Sequence, residues 1–65
     1  MKILVNAESQ EVSAQVLGDI LNELGYGDAK IATALNEVFV AKSARAQTKV
    51  AAGDRLEIVT PRQGG

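Results

Sequence analysis

No cysteine and no histidine occur in these 65 residues. The first absence removes disulfides, a thiolate nucleophile and soft-metal sites. The second removes an imidazole base, the commonest zinc ligand and a pH switch near neutrality. Only Tyr26 and Phe39 are aromatic, which leaves no base-stacking platform, and a net charge of −1 gives no electrostatic footprint for nucleic acid or anionic membrane. No apolar run is long enough to cross a bilayer, and the N-terminus lacks the apolar segment of a secretion signal. Together these absences predict a soluble cytoplasmic chain with no bound cofactor, no metal and no nucleic-acid or membrane partner. They leave little catalytic chemistry for the chain to perform alone.

What is present suits one small domain. A chain of this length buries only about 60% of its unfolded surface, so its core is marginal. Lys2-Ile3-Leu4-Val5-Asn6 reads as a strand, Asn6 to Ser9 as a turn, and Gln10-Glu11-Val12 as a returning strand. Val16, Leu17, Ile20, Leu21 and Leu24 recur at helical spacing, with Ser13 as the expected N-cap and Gly25 as the left-handed stop. Gly18 inside that helix suggests close packing on a sheet. Ile31 to Leu35 and Val38-Phe39-Val40 form two strands around the turn Asn36-Glu37. A short helical turn is expected near Ser43 to Ala46, then a turn at Ala52-Gly53-Asp54 and a last strand Leu56 to Val59. This order predicts an α+β fold, with a mixed sheet of four to five strands on one amphipathic helix. Ile3, Val5, Leu35, Leu56 and Ile58 should meet the helix stripe. The expected division is a body at 1–59 and a tail at 60–65.

The tail reads Thr60-Pro61-Arg62-Gln63-Gly64-Gly65. Two glycines present the smallest backbone cross-section, so such an end can thread a channel that a Cβ would block. Extended, it reaches roughly 20 Å at about 3.3 Å per residue. Pro61 stiffens its root. A terminal carboxylate on Gly65 could attack the α-phosphorus of ATP in another protein's pocket. Gly64, Gln63 and Arg62 are the residues that would enter with it. Arg62 is either a docking charge or a solvated one, and Gln63 can hydrogen-bond a groove wall. If Ile3, Val5, Leu56 and Ile58 point inward, Leu4 and Val59 point outward and, with Ala32 and Ala34, form a shallow apolar patch for a partner. The alternative for that patch is scattered surface apolar residues.

Lys2 to Asn6, Ala34-Leu35-Asn36, Phe39-Val40 and above all Gly53 to Gly65 resemble the ThiS family, sulfur carriers of thiamine thiazole biosynthesis. Glu37 departs from the family pattern, standing where a hairpin glycine is usual. Ala41 stands where proline is common, and Lys42 replaces arginine. The resemblance implies a ubiquitin-like β-grasp fold and a carrier rather than an enzyme. It implies that a ThiF-like adenylating enzyme joins Gly65 to AMP using ATP and magnesium. Sulfur from a cysteine-derived persulfide then replaces AMP, and thiazole synthase takes it from the thiocarboxylate. Two other readings remain open on the residues: a carrier for another pathway, like the small subunit of molybdopterin synthase, and a β-grasp interaction module with an inert tail.

Overall fold

A computed structural model of the chain describes residues 1–27 and 29–60. Seven elements follow one another: β1 (Lys2–Val5), β2 (Glu8–Glu11), α1 (Leu17–Glu23), β3 (Ala32–Leu35), β4 (Val38–Val40), the 3-10 helix η1 (Lys42–Gln47) and β5 (Arg55–Val59). The sheet order is β2-β1-β5-β3-β4, so the last strand is inserted at the centre. β1 and β5 run parallel, and every other pair is antiparallel. This is the mixed five-stranded sheet with one helix that the element order implied.

The two hairpins share one device. Asn6 and Ala7 have φ of 50° and 70°, and Asn36 and Glu37 have φ of 51° and 71°. Both turns are therefore two-residue turns with left-handed backbone at each central position, the geometry whose twist matches that of the strands. Asparagine tolerates it. Ala7 and Glu37 adopt it without the usual glycine, so the missing hairpin glycine at 37 left the geometry intact. The tightness of the first turn also corrects its expected bounds. The turn ends at Ala7, and β2 starts at Glu8, all of it exposed.

The core comprises Ile3, Val5, Val12, Leu17, Ile20, Leu21, Val40, Val50, Leu56 and Ile58. Leu24 and Leu35 of the expected core are only half-buried and pack at its edge. α1 is shorter than its stripe. Val16 is extended rather than helical and pairs as an isolated bridge with Lys49. Leu17 donates its amide to the Thr48 carbonyl, and Val50 donates to Gln15. These bonds hold the helix entry against the segment after η1, which is why the helix starts late.

Ser13 is not the N-cap. Its amide instead donates to both carboxylate oxygens of Glu23 at 3.0 and 2.8 Å, and the Ala14 amide donates to the same group at 3.0 Å. Glu23 thus ties the last turn of α1 to the segment before it. The amides of Ala14 and Ser13 stabilise the ionised form and hold the Glu23 carboxyl below the ordinary value of 4.5. A folded-state pKa below the unfolded one adds stability that is complete above the unfolded value and is lost as pH falls through the folded one. Glu23→Gln should therefore flatten the fall in stability below about pH 4.5, as read by denaturant titrations at stepped pH.

Gly18 lies against η1, not against the sheet. A Cβ built there would sit 3.6 Å from the backbone of Arg45 and Ala46, an ordinary contact. Packing therefore does not require glycine at this position. Gly18→Ala should raise unfolding free energy by about 0.5–1 kcal/mol through helix propensity, seen as a rise of a few degrees in Tm. A loss of stability would show that the α1–η1 spacing is tighter than this.

Candidate functional site

The site is the end of β5, where the chain leaves the sheet. Along β5, Arg55, Glu57 and Val59 are exposed, while Leu56 and Ile58 are buried. One edge pairs with β3 as far as Ala32 opposite Val59. The other edge pairs with β1, whose register with β5 ends at Val5 opposite Leu56. There the chain of β1 turns away, and the backbone of Ile58 would lose its partner.

Asn6 supplies that partner. Its backbone amide donates to the Leu56 carbonyl at 2.9 Å. Its side-chain Nδ2 donates to the Ile58 carbonyl at 3.1 Å, and its Oδ1 accepts from the Ile58 amide at 2.8 Å. One primary amide thus replaces the next residue of a parallel strand. Asn36 acts similarly at the other end of β5. Its Oδ1 accepts from the Arg55 amide at 2.9 Å, and its own amide donates to the Arg55 carbonyl at 2.7 Å. The two turn asparagines bracket the last strand at both ends. Held by β3 as far as Val59 and by Asn6 as far as Ile58, the chain reaches Thr60 from the middle of the sheet.

Beyond Thr60, the residues expected to enter a partner, namely Arg62, Gln63, Gly64 and Gly65, lie outside the described residues, as does Pro61. The apolar patch falls within them. Val59 is 63% exposed, Ala32 is exposed and Ala34 is half-buried. All three line one depression of about 260 Å³ together with Phe39, which is 69% exposed. Leu4 stands apart from them. It pairs with Arg55 and lines a separate hollow with Ala7 and Glu37, and Glu57 lies between the two groups. Phe39 was absent from the expected patch. The signal for it is the alternation in Val38-Phe39-Val40: with Val40 buried, Phe39 faces outward.

Among the described residues no cluster of acidic side chains could hold a metal ion. No described helix is long and apolar enough to cross a membrane.

Asn6→Ala removes both side-chain bonds to Ile58 and a residue suited to positive φ. It should cost about 2–3 kcal/mol and speed amide exchange at Ile58 more than at Leu56. Asn6→Asp, which keeps an acceptor and loses the donor, should fall between the two. Uniform loss of protection along β5 would mean that Asn6 stabilises the whole fold and not this strand end.

The sequence profile of the ThiS family matches residues 3–65. A thiazole synthase of Paramagnetospirillum magneticum is 41% identical over 66 residues, covering the whole chain. The chain spans about a fifth of that relative's length, the matched share being 20%. The crystal structure of the thiamine biosynthesis protein ThiS from Geobacter metallireducens superposes with a TM-score of 0.84 at 25% identity, covering all of both chains.

Proposed function

Given that the chain belongs to the ThiS family, we propose that it is a sulfur carrier for thiazole formation in thiamine biosynthesis. The carrier is a substrate of other enzymes and catalyses nothing itself. The observation that supports this most is that the family match runs through Gly64 and Gly65 and does not stop at β5.

The chemistry needs an activated acyl group. Hydroxide is a poor leaving group, so a free carboxylate does not transfer its acyl carbon. The Gly65 carboxylate oxygen attacks the α-phosphorus of ATP, and pyrophosphate leaves, giving an acyl-adenylate. Magnesium held by the ThiF-like adenylating enzyme offsets the charge that builds on the phosphates. The outer sulfur of a cysteine-derived persulfide then attacks the acyl carbon, and AMP leaves. A thiol cleaves the sulfur–sulfur bond and becomes a disulfide, while the carrier retains the outer sulfur as a thiocarboxylate. Thiazole synthase consumes that sulfur, and hydrolysis returns the carboxylate.

This chain's part is presentation. The clamp on β5 fixes the tail's origin at Thr60, and Gly64 and Gly65 let the tip enter a narrow channel. Arg62 and Gln63 would contact the channel walls. Ala32, Ala34 and Val59, joined by Phe39, offer an apolar surface beside that origin for the docking protein, and Leu4 a second one across Glu57. The relative named thiazole synthase supports that enzyme as the acceptor of sulfur, since sequence like this chain's lies within its own length.

Deleting Gly65 should abolish ATP–pyrophosphate exchange with the cognate adenylating enzyme while leaving Tm unchanged. Exchange at the full rate with the truncated chain would overturn the proposal.

A further inference from the structure

A second surface lies beside the tail origin and has a different chemistry. The start of β3, the start of η1 and the end of β5 enclose an open cleft of about 380 Å³. Its floor includes Ile31, Ala32 and Val59, and its charged groups are Lys30, Lys42 and Arg45. Three of the chain's seven cations therefore gather here, although the net charge is −1. Among the described residues no carboxylate lines the cleft and none of the three cations forms an ion pair.

Arg45 is set in place by the fold. Its Nε donates to Thr33 Oγ1 at 3.2 Å, and its Nη2 donates to the Ile31 carbonyl at 2.8 Å. Thr33 is itself buried and donates to the Val40 carbonyl at 3.0 Å. Two N–H groups of the guanidinium are used this way, and the remainder have no acceptor among the described residues. A half-buried guanidinium fixed on one side is preorganised to hold a carboxylate on the other.

We propose that this cleft receives an aspartate or glutamate side chain from the adenylating enzyme, at the rim of the channel that takes up the tail. The inference rests on the carrier function proposed above and deepens it. Continuity favours a protein carboxylate over a free anion. Ala32 and Val59 belong both to this cleft and to the exposed depression that contains Phe39. A partner covering that apolar surface would reach the cations at its border. Burial of the apolar part supplies affinity, and the charge pair supplies orientation and encounter rate. Lys30 and Lys42 are exposed, so their contribution should fall steeply with salt.

The test measures adenylation of the full chain by the cognate enzyme as a function of carrier concentration. At low ionic strength, Lys30→Glu/Lys42→Glu should raise the half-saturating concentration about ten-fold, and the gap should close in high salt. Lys49→Glu, a reversal outside the cleft, should stay within about two-fold of the unchanged chain. Should the double variant fold poorly by its Tm, Lys30→Gln/Lys42→Gln is read in the same assay with a smaller rise expected.

Equal half-saturation for the double variant and Lys49→Glu would overturn the cleft proposal while leaving the carrier function standing. A gap that persists in high salt would do the same. Failure of the unchanged chain to be adenylated would instead remove the carrier function and the cleft proposal with it. Inorganic phosphate and acetate, titrated into the labelled chain, test the other source of anion. Saturable shifts at Lys42 and Arg45 below millimolar phosphate, with adenylation of the double variant unaffected, would assign the cleft to a small anion.

Discussion

Strand β5 meets a partner along each edge, and part of one edge is a side chain. β1 accompanies β5 only as far as Leu56, after which the Asn6 amide carries the pairing to Ile58. A buried strand end with unpaired backbone groups would be costly, because each unmet donor or acceptor forfeits its hydration without replacement. The clamp removes that cost at the residue where the chain must leave the sheet. Most of the candidate surfaces lie near this point. The tail origin, the apolar depression with Phe39 and the cationic cleft of Arg45 all border Val59.

The rest of the fold serves to hold that strand. A late-inserted central strand depends on both hairpins being formed, and each hairpin turns on an asparagine that also bonds to β5. The two turns therefore determine strand register locally and hold the centre of the sheet at the same time. η1 does equivalent work on the helix layer, lying along Gly18 and carrying the arginine that fixes the start of β3. Stability in so small a body comes from such shared contacts, since its core, ten side chains among the described residues, is modest.

Much of this could be read from the residues. The helix stripe, the strands β3 to β5 and the two-layer arrangement follow from periodicity and turn residues. Ile3, Val5, Leu56 and Ile58 alternate as an inward face must, and all four are buried. Val12, Val40 and Val50 were less legible, because each stands alone in a loop or at a strand end where no period marks a face. The bounds of β2 are not legible, because Glu8-Ser9-Gln10-Glu11 is exposed throughout and carries no alternation. The tie between Asn6 and Ile58 spans 52 positions, and nothing local announces it. Ser13 has the chemistry of a cap, but the cap position falls three residues later, at Val16. Of the site, the outward positions Val59 and Ala32 were legible from alternation. The gathering of Lys30, Lys42 and Arg45 was not, since it is created by η1 folding against the start of β3.

The central claim is that the clamped strand presents a terminal glycine for loading with sulfur. It is tested most directly by the intact mass of the protein isolated from its own cells under sulfur-replete, thiamine-limited growth. The account predicts a chain ending at Gly65, part of it heavier by the replacement of one oxygen with sulfur at that terminus. A native polypeptide that continues past Gly65, or one that never carries the added sulfur, would contradict it.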